Sequence, residues 1–305
     1  MRQKYQAKNF FHLPAKYLLI MIAITMLFLC SEVSANASAE DVHDVADLCM
    51  YASRSLKDYA LIGMGVDYND PKTELKETLK LADEHFKRLK SHKMNEQLTT
   101  EILEMETSWS TLKPAFKETP DKAKMQDLHH QVELYTNHCE EVVEDLSKDT
   151  GIKGEHYVVL VAQLGMESQR MACEYLTKAW GVEDAEYDKQ VKHMLEEIEG
   201  IFKELIDADV KLVSQEIKDK LKEVENDFTA FGVMLKSTSG RMMPSSAEKS
   251  ASKIYERVLV ILHMEEKLVE NSISGYFLPI ATEENTNMLF EIISEILQVE
   301  EKFVS

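Results

Sequence analysis

The stretch that decides the fold occurs twice in this chain, as LCMYASRSLKDYALIGMG at residues 48–65 and as LGMESQRMACEYLTKAWG at residues 164–181. In both copies apolar residues recur at spacings of three and four, with polar residues between them, which is typical of an amphipathic helix. One offset of 116 positions aligns Arg54 with Arg170, Tyr59 with Tyr175, and the Gly-Val pair that follows each helix. Two unrelated helices could share a leucine stripe by chance, but they would not be expected to share these three features in one register. The sequence therefore predicts a duplicated helical module.

The repeat continues on both sides of this stretch and divides the chain into two similar halves. Turn-forming residues separate long amphipathic segments, and the two-residue alternation of strands is absent. The third helices match at an offset of 119, because short indels in the flanking loops shift the register. These patterns predict an all-α fold of two tandem antiparallel four-helix bundles. The predicted helices cover residues 39–66, 71–93, 96–118 and 121–149 in the first half, and 155–181, 185–209, 213–236 and 245–271 in the second.

The predicted domain boundaries follow from these helices. The first bundle is expected over residues 38–151 and the second over residues 152–272, with a brief joint at Gly151 and Gly154. Residues 273–305 carry one narrow apolar face and predict a C-terminal helix. That helix either docks on the second bundle or forms a contact in a homo-oligomer.

Residues 1–35 have the pattern of a signal peptide. Four basic residues precede an uncharged apolar run at residues 17–30, and small residues follow where a signal peptidase cuts. This pattern predicts export to the periplasm, with the leader either removed or kept as an inner-membrane anchor. Without residues 1–35 the formal net charge changes from −19 to −22. Because so acidic a chain repels phosphate backbones, we expect no nucleic-acid partner.

The sequence shows no motif of a catalytic site. It contains no nucleophile elbow, phosphate-binding loop or dinucleotide fingerprint, so we predict that the protein is not an enzyme and has no cofactor. The only Glu-x-x-His pair, Glu40 and His43, lies at the edge of the first helix, so we predict no metal site. Cys49, Cys139 and Cys173 leave two alternatives open, a Cys49–Cys139 disulfide or three small buried thiols.

The repeated stretch resembles the first helix of the periplasmic sensor module shared by nitrate/nitrite sensor kinases and type IV pilus methyl-accepting chemotaxis transducers. In that module the first helix carries an Arg-Met pair and then Ser-Gln-Arg. Ser168, Gln169 and Arg170 reproduce the Ser-Gln-Arg motif, and Ser53-Arg54 in the first copy keeps the arginine. The resemblance covers nearly all of the chain after residue 35, as two copies.

The Arg-Met pair is only half matched. Met50 and Met166 occupy the position of the methionine, whereas Cys49 and Gly165 replace the arginine that helps to hold the anion in the nitrate sensors. The resemblance therefore implies the fold of a sensor module with one arginine per copy for an anion.

The resemblance also implies a function, that of a periplasmic sensor-like module without its own output domain. Such a module would bind a small ligand or anion, or a partner such as a membrane sensor or transducer protein. The two first helices would pair within the chain and enclose a polar cavity. The candidate ligand-binding residues are Arg54, Arg170, Ser168, Gln169 and Ser53. The alternative is a structural interaction scaffold of acidic bundles, in which each arginine pairs with a nearby carboxylate.

Overall fold

The computed structural model describes residues 36–237 and 242–277, with the side chains defined up to residue 272. Throughout these ranges the regular structure is helical, which confirms the all-α prediction. A 3₁₀ turn, Lys122–Lys124, precedes the fourth helix. The eight helices are α1 (Ala39–Gly63), α2 (Pro71–Leu89), α3 (Glu96–Lys117), α4 (Met125–Thr150), α5 (Glu155–Ala179), α6 (Tyr187–Asp207), α7 (Gln215–Lys236) and α8 (Pro244–Phe277).

The eight predicted helices are all present, and most of their ends agree within a few residues. The prediction was wrong at the end of α8, which runs past residue 272 to Phe277 without a break. The hydroxyl of Ser272 donates to the backbone carbonyl of Leu268 one turn earlier, so this serine continues the helix instead of capping it. The rest of the predicted tail helix and the predicted signal peptide lie outside the described residues. Among the described helices, none combines the length and apolar character that crossing a bilayer requires.

The Gly-Val pair retained in both repeats ends the first helix of each. Gly65 and Gly181 adopt left-handed backbone conformations, with φ of 69° and 79°. The amide of Val66 then donates to the carbonyl of Leu61, and the Val182 amide makes the equivalent bond in the second repeat. This is the Schellman arrangement, which satisfies carbonyl groups left free at a helix end.

The tyrosine retained in both repeats also has one structural role. The hydroxyl of Tyr59 accepts a hydrogen bond from the backbone amide of Asp121, just before α4. The hydroxyl of Tyr175 accepts one from the amide of Met243, just before α8. In each repeat, therefore, the first helix fixes the loop that leads into the fourth helix.

The two repeats meet through their first helices and share one apolar core. Buried residues run consecutively over 48–53 in α1 and over 164–169 in α5, as expected of helices that are covered on all sides. His43 and Glu155 line one cavity near the starts of these helices, and Gly63 contacts the Trp180 indole at their ends. The two first helices thus run in the same direction, with α2 and α4 packed on α1 and with α6 and α8 packed on α5.

Candidate functional site between the first helices

The polar residues that the sequence singled out lie on α1 and α5, the two helices whose interface is here called the seam. Ser53, Ser168 and Gln169 are all buried. The thiol of Cys173 donates to the backbone carbonyl of Ser53 at 2.8 Å, which links the two helices directly. The Gln169 amide nitrogen donates to the Ser168 hydroxyl at 3.2 Å, and that hydroxyl donates to the carbonyl of Gly165. The Ser168 hydroxyl and the Gln169 amide nitrogen are therefore engaged within α5, whereas the buried Gln169 amide oxygen has no hydrogen-bond partner among the described residues.

The two predicted arginines are both paired with carboxylates. Arg54 donates to Glu74 on α2 at 2.9 Å. Arg170 donates to Glu167 on its own helix at 2.6 Å and lies 3.8 Å from Glu140 on α4. Since the position that matches Glu74 is Gln190 in the second repeat, Arg170 has no carboxylate there and pairs elsewhere. The arginines thus follow the pattern expected of the scaffold alternative.

The cavity recorded along the seam is too small for a ligand. Its volume is about 10 Å³, and Ala46, Cys49, Glu140 and Gln163 are among its lining residues. Such a volume accommodates a single water molecule at most. None of the five predicted ligand-binding residues lines it. This cavity is therefore not the polar cavity that the ligand-binding hypothesis requires.

A buried charge cluster contains residues of both repeats. The sequence did not predict it. The Lys57 amine lies 2.7 Å from Glu248 on α8 and 3.6 Å from Asp58, and all three side chains are at most 2% exposed. Burial raises the pKa of Asp58 to about 7, although the Lys57 charge opposes this. Burial acts to lower the pKa of Lys57, but the charges of Asp58 and Glu248 outweigh it and raise the pKa. One signal existed in the sequence, because the aligned repeats place Lys57 opposite the apolar Cys173.

A second charge cluster lies near the start of α1. Arg88 forms two hydrogen bonds to the buried carboxylate of Asp44, at 2.5 and 2.9 Å, and His85 lies 3.0 Å from it. Burial acts to raise the pKa of Asp44, but the hydrogen bonds from His85 and Arg88 lower it below its usual value. Asp47 connects His85 to His43, at 3.7 and 3.6 Å, and His43 lies 3.2 Å from Glu266 on α8, so this cluster also joins the two repeats.

Of the two alternatives for the cysteines, the described residues show three buried thiols: Cys49, Cys139 and Cys173 are all free. The Cys49 thiol donates to the backbone carbonyl of Val45 at 3.2 Å, and Cys49 and Cys139 do not form a disulfide. Burial raises the pKa of Cys49 and of Cys173, which keeps both thiols protonated. These cysteines pack as small apolar side chains.

Each repeat also carries an open groove between its second and third helices, and the two grooves are equivalent. Their volumes are about 360 Å³ between α2 and α3 and about 370 Å³ between α6 and α7. One difference is Lys113, which pairs with Asp83 in the first groove and corresponds to Gly232 in the second. The shared lining places two acidic residues and a lysine around two aromatic rings: Asp83, Glu106, Lys117, Phe86 and Trp109 in the first groove, and Glu199, Glu225, Lys236, Phe202 and Phe228 in the second.

Searches against known proteins returned no match to a protein-family model, a curated protein or a solved structure. The resemblance of the first helices to sensor input modules therefore stays a prediction. What the described residues offer for recognition is a closed seam whose arginines are engaged, together with two equivalent open grooves.

Proposed function

We propose that the chain is a sensor-like interaction module that binds a partner protein through two equivalent grooves, one in each repeat. The observation that carries this proposal is the duplicated lining, since acidic, aromatic and basic residues occupy aligned positions in both grooves. Packing alone requires the buried aromatic rings but not the partly exposed residues at the groove edges. A shared function for the two grooves accounts for the buried rings and also for the residues at the groove edges.

The chemistry of the grooves suits a protein surface better than a small molecule. The aromatic rings of each groove, such as Phe86 and Trp109, are almost fully buried, and the aligned exposed residues Pro114 and Val233 supply apolar surface that can contact an apolar side chain of a partner. Glu225 at the edge of the second groove would pair with a basic group of the partner, and Glu106 in the first groove, which pairs with Lys90 at 2.5 Å, would do so by exchanging that lysine. If the resemblance to sensor modules holds, the partner is a membrane sensor or transducer protein with a basic, partly apolar contact surface.

A photo-crosslinking residue placed in either groove should capture the same partner in cells that express the chain. Ser110 and Thr229 are the matched positions, because both are exposed and line equivalent grooves. Ser108 is the control, since it is exposed on α3 but does not line the groove. We expect adducts of one size from Ser110 and Thr229, identified by mass spectrometry, and little from Ser108. Equal labelling from all three positions, or none from either groove, would contradict the proposal.

Small anions should not stabilise the protein if recognition occurs in the grooves. A ligand present at a hundred times its dissociation constant would add about 2.7 kcal/mol to the free energy of unfolding. We therefore expect thermal unfolding to show the same Tm with and without nitrate, nitrite or other small anions, apart from general salt effects. A saturable increase in Tm that disappears in Arg170→Ala would support the competing function, anion sensing at the seam.

A further inference from the structure

A histidine and two carboxylates converge where α4 packs on α5, away from the grooves. His129 and Glu133 lie one turn apart on α4, and Glu174 faces them from α5. One nitrogen or oxygen atom from each side chain lies within 4.8 Å of the other two. We propose that His129, Glu133 and Glu174 form a binding site for a divalent transition-metal ion of the Zn²⁺ class.

The donor set fits such an ion. Zn²⁺ binds imidazole nitrogen and carboxylate oxygen at distances near 2.1 Å, which places neighbouring ligand atoms of a tetrahedral site about 3.4 Å apart. The Nε2 atom of His129 is 2.9 Å from Oε1 of Glu174, and a carboxylate oxygen of Glu133 lies within 4.8 Å of a ligand atom of each. The imidazole ligand favours transition metals over Ca²⁺ and Mg²⁺, which prefer oxygen ligands.

The charge of the cluster also favours a cation. The His129 and Glu174 side chains are at most 8% exposed and Glu133 is half-buried, so with a neutral imidazole the cluster carries two negative charges, one of them in the interior. Asp184 adds a further negative charge near His129. Because uncompensated buried charge is costly, a divalent ion would neutralise the site more completely than a proton on His129.

The site has a route to solvent and room to complete the coordination. Glu174 lies at the edge of a cavity of about 750 Å³, whose lining also includes Gln126 and Asp184. Gln126 precedes His129 by one turn on the same face of α4. Water, the Gln126 amide oxygen or the Asp184 carboxylate would supply the fourth ligand.

The purified full chain, cleared of metal with a chelator, should bind one equivalent of Zn²⁺ or Co²⁺ in isothermal titration calorimetry. Bound Co²⁺ should give the visible absorption bands that are typical of a four-coordinate site. Glu133→Gln leaves the His129–Glu174 contact in place, so it should fold normally and still raise the Kd at least about tenfold, the lower end of what loss of a supporting group costs a metal site. His129→Ala should remove the binding and the Co²⁺ absorption.

His130→Ala is the matched control, because His130 is the next residue on α4 and is exposed. It should leave the affinity and the Co²⁺ spectrum of the chain unchanged. Binding that is equally weak in His130→Ala and His129→Ala would overturn the proposal. So would an affinity that Glu133→Gln leaves unchanged, since the site would then consist only of a histidine–glutamate ion pair.

Discussion

Replacing Lys57 with Met should lower the free energy of unfolding by about 3–5 kcal/mol, the usual cost of removing one partner from a buried ion pair. Lys57 is the only cation that contacts Glu248 and Asp58 in the described residues, and each of these side chains is at most 2% exposed. Without the lysine, two carboxyl groups stay buried and must either carry uncompensated charge or take up protons. Urea unfolding of both proteins, followed by circular dichroism, measures the difference.

Two further variants distinguish the stability lost by breaking the buried ion pair from the stability lost by removing any lysine. Lys80→Met removes a surface lysine that pairs with Glu84, and it should cost at most about 1 kcal/mol. The double variant Lys57→Met/Glu248→Met should recover part of the loss, because it removes one of the stranded carboxylates. A Lys57→Met variant as stable as Lys80→Met would show that this cluster does not hold the two repeats together.

The protein should be more stable at pH 5.5 than at pH 8.5, with Glu265 as a main cause. Glu265 is fully buried in α8, and neither carboxyl oxygen has a hydrogen-bond partner among the described residues. Burial raises its pKa to about 7, against 4.5 for an exposed glutamate. The folded state holds this proton more tightly than the unfolded state. Its contribution is therefore complete below about pH 4.5 and is lost as the pH rises through 7, by up to about 3 kcal/mol.

Other groups near the interface act in the same direction. Burial raises the pKa of Asp58 and of Glu140 to about 7. The hydrogen bond to Glu266 raises the pKa of His43 to about 9, so its stabilising contribution is present below pH 6.5 and is lost as the pH rises through 9. All three changes reduce stability with rising pH over the range of the measurement, and the growing net negative charge adds to them.

Glu265→Gln isolates the contribution of this residue. The variant should be more stable than the natural chain at pH 8.5, where the carboxylate is charged, and similar to it at pH 5. Denaturant unfolding at the two pH values provides the comparison. Equal destabilisation of Glu265→Gln at both pH values would mean that the buried carboxylate has a cationic partner outside the described residues.

The repeat made the all-α class and several local features predictable from sequence, because aligned residues have the same structural role in both halves. The aligned Gly-Val pairs indicated a common helix end, and both form Schellman caps. The aligned tyrosines Tyr59 and Tyr175 both fix the loop before a fourth helix. The aligned arginines looked like a shared binding feature, yet their partners differ, because Gln190 replaces Glu74 in the second repeat.

The clusters that cross helices could not be predicted in the same way. The spacing of His129 and Glu133 placed them on one helix face, but the third member, Glu174, is on another helix. Nothing in local periodicity predicts that α8 brings Glu248 to Lys57, since that contact depends on how the repeats pack. Burial of an ionisable side chain depends on tertiary packing. From sequence alone, charged residues on an amphipathic helix are expected to be exposed to solvent.

Because α1 and α5 pair in parallel within one chain, the residues on the two sides of their interface need not be identical. A homodimer of a single repeat would place identical residues on both sides of its axis, so a central lysine would always face its own copy. Here the aligned positions carry Lys57 on one side and Cys173 on the other, and only the first recruits a buried glutamate. Two repeats in one chain can therefore differ at aligned positions, while the covalent linkage keeps the halves together at any protein concentration.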